Sequence, residues 1–244
     1  MQAAPMHTLP IHSIEATIQR PHARLKSYSY QKMMQLTALE KQLSFLREID
    51  RLKTVIRQSP LLDKSRKENS AEHSWHLAMY ALLLNEYACG PVNTYRVIQM
   101  LLLHDVVEID VGDLPIHGGH SSALQAELEE KAAARLFGLL PPQQGNELLA
   151  LWQEFERAET EDAKFAKALD RFQPLLVNVF TGGGTWAESG VSLEQVLSRY
   201  GPAIKRGAPQ LWEVCEQWVS RHFAEQASGI PRPADLAQEE SRRE

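Results

Sequence analysis

An all-α fold is predicted by three features of this 244-residue chain. Apolar residues recur at steps of three and four, no alternating run of β-branched residues competes with that period, and Gly/Pro-rich breaks separate the periodic stretches. Leu36, Leu39, Leu43, Leu46, Ile49, Leu52 and Val55 predict one long amphipathic helix. A second begins at Asn69 or Ser70, either of which can cap it. Glu68 or Glu72 stands near the positive end of its dipole, and it runs through HSWHLAMYALLLNEY to the Gly90-Pro91 stop. A third opens at Asn93/Thr94 and reads RVIQMLLLHDVVEI. Apolar around most of its circumference, it is expected to be the central, buried helix, ending in the 112–119 loop. Further helices are expected over 122–137, 146–157, 161–180, 193–200 and 209–222, separated by PPQQGN, TGGGTW and a Gly201-Pro202 turn. Trp75, Tyr80, Trp152, Phe155, Phe165 and Phe172 fall at helical spacing, for which core packing is the expected fate.

Residues 1–35 hold Pro5, Pro10 and Pro21 with His7, His12 and His22 and show no sustained apolar period, so they are read as an N-terminal extension. Residues 36–224 form the expected domain, and the polar, proline-interrupted residues 225–244 a flexible tail. Lys+Arg number 26 against 31 Asp+Glu, a formal charge of −5, and 43% of residues are hydrophobic, which excludes wholesale disorder and argues against a general nucleic-acid binder. No window of about 18 residues is free of charge and turn formers, and the start lacks the basic-then-apolar order of a secretory signal. Neither a membrane span nor export is expected. Two isolated cysteines, Cys89 and Cys215, supply no disulfide framework and no thiolate zinc site, consistent with a reducing, cytoplasmic setting.

The conspicuous feature is nine histidines. His104 and Asp105 end the most apolar run of the chain, where a buried carboxylate beside an imidazole needs a partner. Taken alone, the dipeptide reads equally as a helix-end histidine beside a hydrogen-bonded aspartate. His73 at the start of another helix and Asp170 within AKFAKALDRFQPLL change that balance. Two imidazoles and two carboxylates on three helices make a nitrogen/oxygen set for one divalent transition metal, with open positions for water and a substrate oxygen. Such a set accepts Mn, Co, Fe, Ni or Zn. Glu108, four residues after His104, is expected on the same helix face within reach of a water near that ion.

These strings, ENSAEHSW, HDVVEIDVGDLP and KFAKALD, resemble the HD-domain metal-dependent phosphohydrolase superfamily, and within it the branch of bacterial 5′-deoxynucleotidases and their eukaryotic HD-domain-containing relatives. The similarity runs from about Leu46 to Asn178. It implies a helical bundle with the metal between helices, His73, His104, Asp105 and Asp170 as ligands, and Glu108 as the residue that orients or activates water. It also implies Asp113 as a contact to the sugar side of a nucleotide, Arg57 as the phosphate-binding arginine, and a homodimer. Turn chemistry in VGDLP is the alternative role for Asp113. Lys167 shares a helix face with Asp170 and joins Arg57 as a phosphate candidate; His76 either faces the same cavity or makes a polar contact beneath it. His117 and His120 belong to a loop over the expected site. Gln58 stands where the nucleotidases commonly carry an aromatic residue, a departure on the side that reads base and sugar.

The implied activity is a 5′-nucleotidase-type phosphomonoesterase acting on (deoxy)nucleoside monophosphates. A mononuclear hydrolase of another small phosphate ester or of a nucleoside triphosphate would use the same residues. Dinuclear relatives add histidines before the final aspartate, and none occurs here from Ser121 through Leu169. A non-enzymatic, metal-stabilised interaction module is the third reading, and a general base beside the ligands has no use there.

Overall fold

A computed structural model describes residues 37–114 and 122–228. The expected extension over 1–35, the loop histidines His117 and His120 and residues 229–244 lie outside them. The described chain is helical, in the order α1 (Ala38–Ile49), α2 (Ser70–Leu84), α3 (Thr94–Leu103), α4 (Glu108–Val111), α5 (Ser122–Phe137), α6 (Pro142–Arg157), α7 (Glu161–Phe180), α8 (Gly184–Ser189), α9 (Leu193–Gly207) and α10 (Pro209–Ser228). A two-stranded antiparallel hairpin, β1 (Ile56–Pro60) and β2 (Lys67–Asn69), lies between α1 and α2, with Ile56 opposite Asn69 and Pro60 opposite Lys67. No described helix is long and apolar enough to cross a membrane.

Several expectations are corrected. The single helix predicted through Val55 stops at Ile49, tightens into a 3-10 turn over Asp50–Thr54 and gives way to β1. Its leucine stripe does not face the core: Leu39, Leu43 and Leu46 are 63%, 54% and 57% exposed, while Phe45 and Leu52 are buried, Phe45 against Phe137. Period alone does not say which of two apolar faces packs. The central helix is α7 rather than α3. Ala163, Ala166, Ala168 and Leu169 of α7 are fully buried, whereas Tyr95 and Leu102 of α3 face outward. Small side chains let neighbours approach α7 closely, so closely that a Cβ on Gly207 of α9 would stand 2.1 Å from the Lys164 carbonyl oxygen.

The expected Gly201-Pro202 break is also absent, and α9 continues through Pro202 to Gly207. Burial of Tyr200 and Ile204 on either side, with Gly201 flat against Trp212, outweighs the proline's cost. The TGGGTW segment is a turn followed by a short helix, α8, anchored by buried Trp186. Among the predicted aromatic stripe, Trp152, Phe155, Phe165 and Phe172 are buried as expected, but Trp75 is 63% exposed. The first residues of the expected tail, 225–228, belong to α10.

Candidate metal centre and catalytic cleft

Three elements converge at one end of the core. α2 starts on a capping box, in which Asn69 Oδ1 accepts from the Glu72 backbone N–H at 3.0 Å and Glu72 Oε2 accepts from the Asn69 N–H at 3.1 Å. That start places His73 in the first turn, fully buried. At the end of α3 the chain tightens into a 3-10 turn over His104–Val107, which carries His104 and Asp105 inward; Trp152 Nε1 donates to the His104 carbonyl at 3.2 Å. From α7 comes Asp170, buried, with Pro174 four residues on. Proline has no N–H to give the Asp170 carbonyl, so the helix is locally freed at the carboxylate it presents.

Ligating atoms of His73, His104 and Asp170 all lie within 4.8 Å of one another. Asp170 Oδ1 is 3.2 Å from His73 Nε2 and 3.5 Å from His104 Nε2, and Asp105 Oδ1 is 3.0 Å from that same His104 nitrogen. His104 Nδ1 donates to the Leu101 carbonyl at 2.8 Å, which fixes its tautomer. His104 Nε2 is then a buried nitrogen facing two carboxylates without an aligned hydrogen bond. The donor set therefore fits a divalent cation: two imidazole nitrogens and carboxylate oxygens, at neutral total charge once the ion is bound.

Electrostatics run the same way. Burial would push the His104 pKa down, but Asp105 and Asp170 raise it to about 10. Against the opposing cost of burial, His104 and then Arg57 hold Asp105 well below the usual carboxylate range, and Arg171, His104 and His73 do so for Asp170. Arg57 is itself buried among carboxylates, with Nη1 2.7 Å from Asp105 Oδ2, 3.6 Å from Asp113 Oδ1 and 3.8 Å from Glu108 Oε1. Glu108 opens α4, and Ser70 Oγ donates to its Oε2 at 2.5 Å. Burial, then the Asp105 charge, pushes Glu108 up to about 9. Asp113 follows Gly112, whose φ of 77° suits glycine, and burial raises its carboxyl as well.

Of the sequence-predicted site residues, His104, Asp105, Asp170, Glu108, Asp113, Arg57 and Lys167 line a single cleft of about 370 Å³, with His73 behind it. Lys167 Nζ sits 3.9 Å above the Phe155 ring and 3.0 Å from Glu156 Oε1. His76 is not among them: it lines a separate cavity of about 320 Å³ with Trp75, Glu68 and Gln173, and burial pushes its pKa down. Sequence reasoning missed four contributors. The sequence marks Glu68 only as a dipole partner and Ser70 only as a cap, yet both are buried, Glu68 against Gln173 and Ser70 against Glu108. Gln173 touches His73, and Arg171 Nη1 holds Asp170 Oδ2 at 3.1 Å. A polar glutamine three residues after Asp170 on an otherwise apolar face was the available signal. The far wall, Thr185, Glu188, Ser189 and Tyr200, comes from α8 and α9, a pairing no local pattern announces.

Residues 49–212 match the family model described as HD domain. The chain belongs to the HD domain family. This HD-domain protein is 49% identical to a Magnetospirillum magnetotacticum protein described as a predicted metal-dependent phosphohydrolase, with a TM-score of 0.74 over 81% of this chain and 96% of that one. It is 32% identical to the 5′-deoxynucleotidase HDDC2 of Mus musculus over 135 residues, 55% of this chain and 66% of the mouse protein, so the match spans slightly under two thirds of that relative. A 5′-deoxynucleotidase of Erwinia tasmaniensis is 30% identical over 165 residues, covering 64% of this chain and 83% of the relative.

Proposed function

We propose that this HD-domain protein is a metal-dependent phosphohydrolase, and more narrowly a 5′-nucleotidase-type phosphomonoesterase releasing phosphate from (deoxy)nucleoside monophosphates. The observation that carries the reading is the convergence of His73, His104 and Asp170 within 4.8 Å at the floor of a cleft that also holds Glu108 and three cationic side chains, Arg57, Lys167 and Arg171. The resemblances to a phosphohydrolase and to 5′-deoxynucleotidases support it.

In this reading His73, His104 and Asp170, with Asp105 Oδ1 alongside, hold one divalent transition metal. When bound, the ion supplies Lewis-acid polarisation of a phosphoryl oxygen and lowers the pKa of water. Glu108 in its ionised form is the base for the attacking water. Ser70 Oγ donates to Oε2 and leaves Oε1 to take the proton, and the charge of a bound divalent ion would favour that ionised form, which burial and Asp105 disfavour in the metal-free protein. Arg57, oriented by Asp105, Asp113 and Glu108, and Lys167 at the rim stabilise the charge that develops on the phosphoryl group. Asp113 faces the sugar side. A cleft of about 370 Å³ is of a size that binds small ligands. Gln58 in its lining, where nucleotidases commonly carry an aromatic residue, keeps a different small phosphate ester as the second reading of the substrate. The reading also carries a homodimer, which light scattering checks.

The test is a phosphate-release screen of purified protein over deoxy- and ribonucleoside monophosphates and other phosphate esters, crossed with Mn, Co, Fe, Ni and Zn. Release from nucleoside monophosphates is expected. Release from none of the esters with any metal sinks the enzymatic reading, and release only from others selects the second substrate class.

A further inference from the structure

Metal ligation requires each histidine to offer a lone pair, and for His104 a backbone carbonyl settles which nitrogen does so. His73 has no carbonyl in that role. Its Nδ1 is 3.1 Å from Gln173 Oε1, and a side-chain amide can face a ring nitrogen with either end. If the oxygen faces it, Nδ1 carries the hydrogen and Nε2 presents its lone pair towards Asp170. If the amide were turned, Nδ1 would accept, Nε2 would carry the hydrogen, and His73 would be unable to ligate.

What sets the amide lies on its other side. Gln173 Nε2 is 3.2 Å from Glu68 Oε1 and 3.4 Å from His76 Nδ1. An ionised carboxylate only accepts, so Glu68 draws the NH₂ end towards itself and leaves the oxygen for His73. Glu68 and Gln173 are both buried, where an unmet acceptor is costly, and the opposite orientation would place carboxylate and amide oxygens against each other. Gln173 is also one helical turn from Asp170, so α7 carries one ligand and the group that orients another. Glu68 Oε2, 3.5 Å from His73 Nδ1, adds negative charge behind the ring.

We infer that Glu68 and Gln173 are positioning residues which fix the tautomer of His73 and thereby the affinity of the metal centre, with His76 as the outer end of the same chain of contacts rather than a phosphate contact. The inference rests on the metal-centre reading above. Its test is read in metal binding, without turnover. Metal-stripped full-length protein is titrated with Co(II) against a competing chelator, and the His73 tautomer is read by long-range ¹H–¹⁵N NMR. Gln173→Leu is expected to weaken Co(II) binding about 10- to 100-fold, the range for orienting partners of metal-bound histidines. The isosteric Glu68→Gln, which leaves the shape unchanged, is expected to weaken it and to give a mixed tautomer. The swap, Glu68→Gln with Gln173→Glu, restores an acceptor facing His73 and a donor behind it, and recovers most of the lost affinity. Single variants that bind Co(II) like wild type, or a swap folded by circular dichroism that stays as weak as the weaker single variant, overturn the inference. If Gln173→Leu does not fold, Glu68→Gln and the swap decide it alone. Wild-type protein that binds no Co(II) sinks the metal-centre reading itself, a different outcome from wild-type binding that the variants leave untouched.

Discussion

His104 shows how a single residue couples the ion to solution pH. Held at a pKa of about 10 by Asp105 and Asp170 against burial, it carries a proton at pH 7 in the metal-free protein, and Nε2 must lose that proton to ligate. At least one proton per ion is therefore expected to be released at pH 7, and affinity is expected to rise with pH. Calorimetric titration in two buffers of different ionisation enthalpy measures the release; a binding heat independent of buffer contradicts it. Glu108→Gln leaves the ligands in place, and is expected to keep the bound metal while lowering kcat by about 10²- to 10⁴-fold, the usual worth of a positioned base. Metal analysis beside a phosphate-release assay separates the two. Ser70→Ala removes a donor that stabilises the Glu108 carboxylate, so the acid limb of the kcat/KM profile is expected to move to higher pH. The His73, His104–Asp105 and Asp170 set was legible in the sequence because each is an ionisable group inside an apolar run, where only a partner explains it. Glu68 was not, since a glutamate in RKENS looks like an ordinary surface residue until burial is known, and Gln173, though polar on an apolar face, gives no sign in the sequence of the histidine it meets.

Elements decide how firmly those residues are held. The capping box at Asn69 starts the helix that carries His73, so Asn69→Ala is expected to cost about 1 kcal/mol of stability, measured by denaturant unfolding. At the opposite wall, Asn178 Oδ1 accepts from the Thr185 N–H at 2.8 Å and from Thr185 Oγ1 at 2.9 Å, tying α7 to α8 across a turn in which Gly182, Gly183 and Gly184 all have positive φ. Asn178→Ala is expected to cost about 2 kcal/mol and to loosen that side of the cleft, which a higher KM at nearly unchanged kcat would report. The long, strongly periodic α5 and α7 were predicted to the residue, because amphipathic period and end signals agree there. The β1–β2 hairpin was not, since IRQSP and KEN carry no alternating pattern, and the passage of α9 through Pro202 was hidden because tertiary burial there overrides propensity.

For the molecule as a whole, the site makes stability depend on pH and metal together. His104, raised from 6.5 to about 10, and Glu108, raised from 4.5 to about 9, bind more protons folded than unfolded. Their contributions are complete below those ordinary values and are lost as pH rises through the folded ones. Asp105 and Asp170, depressed from 3.8, contribute above that value and lose it on acidification. The Tm of metal-free protein is therefore expected to fall between pH 6.5 and 9, and added metal to raise it more at pH 8.5 than at pH 6.5; a scanning calorimetry series shows either trend directly. A Tm of the metal-free protein that is flat or rising over that range contradicts the linkage.

The sequence by itself determined the helical class, the ends of its most periodic helices and the residue types able to hold an ion, because periodicity, capping and the cost of burying charge act locally along the chain. Only the tertiary structure decided which helix is central, which apolar face of α1 packs, and that Gln173, 100 residues from His73 in sequence, sets a hydrogen bond on it. It alone closed the cleft with α8 and α9. Those outcomes depend on close packing and hydrogen-bond direction between distant segments, and neither leaves a period or a spacing in the sequence.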